Sequence, residues 1–98
     1  MTVLRDPEQA ETRAIHDLVT FAGKDVLEVG CGEGRFTWRF ADHARSVLAL
    51  DPDASAIERA RASLPARLRE RVTFQTADIL TAELSRATFD VVVLAWSL

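Results

Sequence analysis

Three glycines at alternate positions, Gly30, Gly32 and Gly34, close the stretch Val26-Leu27-Glu28-Val29-Gly30-Cys31-Gly32-Glu33-Gly34. Glycine accepts positive φ and has no Cβ, so a ligand can lie directly against such a turn. Where the turn opens a helix, the unpaired N–H groups of the helix start are expected to face that ligand. Three acids accompany the glycines: Glu28 at the end of the aliphatic run, Asp51 at the end of the next such run, and Asp78 just past a third. An acid in the place of Asp51 suits a carboxylate that accepts both hydrogen bonds of a ribose diol. Turns that merely connect strands to helices would explain the glycines, but not an acid at each of three strand ends. The chemistry expected is recognition of a ligand that contains a nucleoside.

Bringing those strand ends to one edge requires a parallel sheet with right-handed helical crossovers. Asp6-Pro7-Glu8-Gln9 reads as a helix start: an N-cap acceptor, a proline whose missing N–H is harmless, and Gln at the capping-box position. Ala14, Ile15, Leu18, Val19 and Ala22 then recur at helical spacing until Gly23. Strands are predicted at 25–30, 46–51, 71–76 and 90–96. A second helix is predicted from near Gly34, with Phe36, Phe40, Ala41 and Ala44 on one face. A third is capped by Asp53, carries Ala56, Ile57, Ala60 and Leu64 as its apolar stripe, and stops at Pro65. Residues 79–88 read as a weak connection of one or two helical turns. The strands are apolar on both faces, as parallel strands covered on both sides must be. The fold class is α/β, in a single domain spanning residues 1–98.

Local charge separates the nucleotide ligands. A dinucleotide site uses G-x-G-x-x-G and holds a pyrophosphate on a helix N-terminus. Here the spacing is G-x-G-x-G, and Glu28 and Glu33 put two carboxylates in and before the loop. At about 4–8 Å they would oppose a pyrophosphate by roughly 1–4 kcal/mol, with Arg35 offsetting part of this. A ligand carrying positive charge is favoured, and S-adenosylmethionine, a nucleoside with a sulfonium and an ammonium, fits. Residues 26–37 (VLEVGCGEGRFT), 48–57 (LALDPDASAI), 74–79 (FQTADI) and 89–98 (FDVVVLAWSL) resemble the successive motifs of class I S-adenosylmethionine-dependent methyltransferases. The resemblance runs through nearly the whole chain from residue 25 onward, in order and in spacing.

The resemblance implies a role for each matching residue. Gly30, Gly32 and Gly34 would line the methionine part of S-adenosylmethionine, with Cys31 in the same loop and Glu28 beneath it as its organiser. Asp51 would hold the ribose hydroxyls, and Pro52 and Asp53 would flank the adenine. Asp78 would accept from the adenine amino group, and the Ile79 backbone would contact the ring. Ala95 and Trp96 would reach the cofactor or the substrate mouth. The resemblance also implies a Rossmann-like sheet in the order 3-2-1-4, the first four strands of a seven-stranded fold. The chain would then be the N-terminal, cofactor-binding part of such a domain, ending after the fourth strand. No catalytic base stands out; in this family methyl transfer often needs mainly in-line positioning of nucleophile and sulfonium.

The remaining residues favour structural roles. The thiol of Cys31 reads as packing rather than as a reactive group, His16 as part of a solvated helical face, and His43 as suited to a helix C-terminus. Phe36 reads as core, and Trp38 as either a cofactor contact or helix–sheet packing. Arg59, Arg61, Arg67, Arg69 and Arg71 form a series interrupted by Glu58 and Glu70 that reads as a solvent face rather than an RNA patch. One cysteine excludes an intrachain disulfide and a cysteine-cluster zinc site, and two histidines are too few for a structural zinc, so no metal is expected.

Fifteen acids against twelve bases give a net charge of −3, which argues against a nucleic-acid or membrane-surface binder and for a small-molecule acceptor. No basic stretch leads into an apolar one at the start, and no apolar run approaches the roughly 20 residues of a membrane span, so a cytoplasmic protein is expected. The fourth strand would be an unprotected edge and one sheet face would lack its helices. Self-association into a homo-oligomer through that edge or face is therefore expected. Two other functions fit less well: an NAD-type dinucleotide-binding module of an oxidoreductase, and a non-catalytic self-associating scaffold of the same fold.

Overall fold

Short aliphatic runs, too brief for helices and apolar on alternate sides, pair into one parallel sheet. The computed structural model describes residues 2–5, 21–34, 37–78 and 89–94. Its strands are β1 (Thr2–Arg5), β2 (Asp25–Val29), β3 (Ser46–Asp51), β4 (Val72–Thr76) and β5 (Val91–Leu94). The order across the sheet is β1-β5-β2-β3-β4, with every neighbouring pair parallel. The four predicted strands appear in the predicted order, as β4-β3-β2-β5. Between them lie α1 (Thr37–Ala41), α2 (Ala54–Ser63) and a 3-10 turn at Ala66–Leu68. Of the predicted helix over residues 6–23 only 21–23 are described, and they form a turn in which Gly23 takes φ +67°; residues 6–20 and the connection 79–88 lie outside the described residues.

The fifth strand corrects the predicted topology. Thr2, Val3, Leu4 and Arg5 lie opposite Val91, Val92, Val93 and Leu94 in parallel register. β5 is therefore flanked on both sides and is not the naked edge expected of it. Four residues are too few to show a period, and their partner lies at the far end of the chain, so no local pattern announces β1.

Because side chains alternate along a strand, each run feeds two layers. Val26, Val47, Ala49, Val72, Phe74, Val91 and Val93 form one buried cluster with Phe21, Phe40, Ala41, Ala44, Ile57, Ala60 and Leu68. Phe21 and Phe40 stack with ring centroids 4.6 Å apart, each burial worth roughly 2–3 kcal/mol. On the opposite face Leu27, Val29 and Leu50 are buried, with Leu48, Phe89, Val92 and Leu94 partly buried against them. On this face Leu27, Val29 and Leu50 are withdrawn from solvent within one chain, and the other four only in part. Of the two surfaces from which self-association was expected, the edge of β5 is taken by β1.

Local signals explain α2. The side chain of Asp53 accepts the N–H groups of Ser55 and Ala56 at 2.9 and 3.2 Å, and the helix gives way before Pro65. The arginines of α2 and of the stretch after it do more than solvate a face. Arg61 donates to the Phe74 carbonyl at 2.7 Å, Arg67 pairs with Asp42 at 2.8 Å, and Arg71 donates to the carbonyls of Asp42 and Ala44 at 2.9 and 3.2 Å. They pin α2 and the 3-10 turn to β4 and to the end of α1. No helix among the described residues is long and apolar enough to cross a membrane.

Candidate functional site

The loop that follows β2 is held by the strand beside it. Gly30 and Cys31 donate their N–H groups to the Leu50 carbonyl at 2.7 and 3.0 Å, and Gly34 donates to the Cys31 carbonyl at 3.0 Å. Gly32 donates to Oδ2 of Asp51 at 2.9 Å. The expectation that free N–H groups face a ligand is corrected at these four positions: β3 ends alongside the loop and supplies its acceptors. These four amides are therefore not free to cradle a phosphate.

Two glycines have distinct reasons for being there. At Gly34, with φ +89°, a Cβ would stand 2.8 Å from Cζ2 of Trp38. Trp38 is half-buried and meets Phe74 edge-on at 5.7 Å, so it serves the helix–sheet packing and covers this part of the loop. At Gly32, with φ +56°, a Cβ would meet nothing within 4 Å, which leaves that side of the loop open to a ligand.

Asp51 sits at the centre of the arrangement. Its Oδ1 accepts the Asp53 N–H at 2.8 Å while Oδ2 holds Gly32. A carboxylate offers about four acceptor sites, so each oxygen keeps one for a hydroxyl donor. The Ala77 N–H donates to the Asp51 carbonyl at 3.1 Å, which sets the exposed Asp78 beside the same strand end. Pro52 and Asp53 are exposed next to it, Asp53 already engaged as the cap of α2. Ile79, Ala95 and Trp96 lie outside the described residues, as do Arg35, Phe36 and His16.

The two acids that were expected to line the loop as bare charges do not. Glu33 is exposed and paired with Arg59 of α2. Glu28 is fully buried: the Thr37 hydroxyl donates to its Oε1, and its Oε2 has no partner among the described residues. Burial pushes its carboxyl up to about 7, the Thr37 hydrogen bond opposes this, and nearby Asp51 adds to it. Cys31 is buried in the core cluster, its thiol pushed up by burial and by the neighbouring Glu28 and Asp51. Its side chain packs, and its N–H and carbonyl are engaged by Leu50 and Gly34. His43 lies exposed in the turn after α1.

Sequence reasoning gave Thr37 no role of its own and read Arg59 only as part of a solvent face. The one available signal for Thr37 was a hydroxyl on the first turn of a helix whose other inward residues are apolar. Nothing local marks Arg59 as the partner of Glu33. Together the parts offer acceptors rather than donors: the Asp51 carboxylate, with Asp78 and Asp53 nearby, against a loop whose amides at 30, 31, 32 and 34 are engaged. Such a place suits a ligand rich in hydroxyl, amino or ammonium donors, and the ribose, adenine amine and ammonium of S-adenosylmethionine meet that description.

Comparison with known proteins agrees. A family profile described as a methyltransferase domain matches residues 26–98. A probable S-adenosylmethionine-dependent methyltransferase of Mycolicibacterium smegmatis is 42% identical over 72 residues, covering 74% of this chain and 26% of that protein. A probable ribosomal RNA small subunit methyltransferase A of Pyrobaculum aerophilum is 38% identical over 86 residues, covering 88% and 35%. The crystal structure of the N-methyltransferase NodS from Bradyrhizobium japonicum in complex with S-adenosyl-L-homocysteine superposes with a TM-score of 0.68 at 26% identity, over 87% of this chain and 42% of that one. The chain thus spans less than half the length of each of these proteins. On the match of the profile to most of its length, joined to the parallel sheet and the loop it carries, the chain belongs to the methyltransferase domain family.

Proposed function

We propose that the chain binds S-adenosylmethionine against the loop 30–34 and serves transfer of its methyl group to a small-molecule acceptor. The observation that carries this is the 2.9 Å hydrogen bond from the Gly32 N–H to Asp51, which joins glycine loop and acid at adjacent strand ends. When bound, the cofactor supplies an electrophilic methyl group on a sulfonium. In this reading Asp51 accepts the ribose hydroxyls on the lone pairs that Gly32 and Asp53 leave it. The backbone of Gly30, Cys31, Gly32 and Gly34 carries the methionine part. Pro52 and Asp53 flank the adenine, Asp78 accepts from its amino group, and Ile79, Ala95 and Trp96 complete the site. Glu28 holds the loop from below through Thr37.

A dinucleotide is the less suitable guest, because the amides that would cradle a pyrophosphate are spent on Leu50, Asp51 and Cys31. For the acceptor, a small molecule is favoured over RNA by the net charge of −3 and by the engagement of Arg59, Arg61, Arg67 and Arg71 in ion pairs and carbonyl contacts. Titration calorimetry of the folded chain tests the cofactor. S-adenosylmethionine and S-adenosylhomocysteine are expected to bind saturably and NAD to fail as a competitor. Absence of heat with either adenosyl ligand at millimolar concentration, or displacement of it by NAD, would overturn the assignment. Fluorescence anisotropy with a labelled RNA hairpin tests the acceptor; tight, salt-sensitive binding would replace the small molecule by RNA.

A further inference from the structure

The position of Glu28 exceeds its structural duty. On β2 it lies opposite Ala49 of β3 and Val93 of β5, both fully buried, and on the sheet face of Val26. Oε1 accepts the Thr37 hydroxyl and so ties β2 to α1, a tether that a neutral amide would make equally well. Oε2 is buried without a partner among the described residues. An acid held this way costs stability whenever it ionises with nothing to balance it. Among the described residues, the groups that face it bring no positive charge: Asp51 from the end of β3, the Cys31 thiol from the loop, the Thr37 hydroxyl from α1 and the Val93 side chain from β5.

We infer that Glu28 is a charge-compensating acid, which releases its proton to solvent when a ligand with a net positive charge occupies the loop 30–34 and keeps it when the ligand lacks the sulfonium and has no net charge. The inference rests on the S-adenosylmethionine reading of that loop, which begins two residues after Glu28 in sequence. The balance is that of an acid dissociation: the Glu28 O–H bond breaks, the proton goes to the buffer, and a carboxylate remains opposite the incoming cation. In a site withdrawn from water, opposite charges stabilise each other far more than they do in solvent. The carboxylate that is costly alone becomes favourable beside a sulfonium and costly again beside a thioether. The site thereby distinguishes the methyl donor from its demethylated product by charge, and product leaves a loop whose acid has taken its proton back.

Calorimetry in buffers of differing ionisation enthalpy counts the proton. At pH 6.5, S-adenosylmethionine is expected to release about half a proton or more and S-adenosylhomocysteine close to none. Between pH 5.5 and 7.0, below the titration of the ligand's own amine, affinity for S-adenosylmethionine should rise about tenfold and that for the product less than about twofold. In Glu28→Gln the proton release and the pH dependence should vanish. A second readout is independent of how that variant folds. Infrared difference spectra of the unsubstituted chain should lose a buried protonated-carboxyl band on addition of S-adenosylmethionine but not of the product. Binding of S-adenosylmethionine with no proton released and no band lost would overturn the inference and leave the cofactor assignment standing. Failure of a folded chain to bind either ligand would overturn both.

Discussion

The two ends of the sheet treat their acids in opposite ways. At the amino end, Asp25 is saturated. Arg45 grips both its oxygens, Ser46 donates at 2.7 Å, and its own N–H donates to Asp90 at 2.9 Å while its carbonyl takes the Asp90 N–H at 2.8 Å. The hydrogen bonds from Arg45 and Ser46 hold the Asp25 carboxyl down at about 2. At the carboxyl end, Glu28 has one partner and an orphaned oxygen and is pushed up to about 7, while Asp51 fastens a loop and still has acceptor capacity to spare. The first arrangement closes the bottom of the fold and asks nothing of a ligand. The second leaves electrostatic need unmet, and in a marginally stable domain such a place marks function rather than folding.

The contrast can be broken at either end. The largest effect is expected from Asp51→Ala, which removes the acceptor for Gly32, Asp53 and the ribose together. At roughly 1.5–3 kcal/mol for each hydrogen bond to a charged group, affinity for S-adenosylhomocysteine should fall about 100- to 1000-fold by calorimetry. Glu28→Gln comes next, read in stability. Glu28 binds its proton more tightly folded than unfolded, so its contribution is intact below about 4.5 and is lost as pH rises to about 7. Denaturant unfolding at pH 8 should find the variant more stable by up to about 3 kcal/mol, with a flattened pH profile. Gly34→Ala forces a Cβ against Trp38 at positive φ and should cost about 1–3 kcal/mol in the same assay.

Asp25→Asn sharpens the comparison by its opposite sign. Asp25 binds its proton less tightly folded than unfolded, so its contribution is present above about 4 and fades as pH falls toward 2. The variant should lose that acid limb of the stability curve and keep its affinity for S-adenosylhomocysteine. The smallest effect is expected from Arg59→Ala. The Arg59–Glu33 pair is exposed on both sides, and cofactor affinity should change less than about threefold in physiological salt.

Much of this arrangement is legible in the residues themselves. The ends of β3 and the cap of α2 coincide with their signals, an aliphatic run closed by Asp51 and an Asp53 two residues later. These are local facts, carried by side chains within a few positions of one another. The loop's glycines and the strand-end acids are legible for the same reason. What escaped depends on partners distant in sequence: the seat of β1 on β5, the capture of Glu33 by Arg59, the contact of Thr37 with Glu28, and the use of the loop amides by Leu50 and Asp51. Of the negative lining inferred from Glu28 and Glu33, the Glu33 charge is met by Arg59 in space and Glu28 is buried against Thr37, since charge counted along a chain says nothing about what surrounds it in the fold.

Titration of the nitrogen-15-labelled chain with S-adenosylhomocysteine, followed amide by amide in proton–nitrogen correlation spectra, tests the division between the two ends most directly. The shifts are expected to gather at Gly30, Gly32, Gly34, Asp51, Asp53 and Asp78 and to spare Asp25, Arg45, Ser46 and Asp90. Shifts centred on the Asp25 cluster, or none at millimolar ligand, would contradict it.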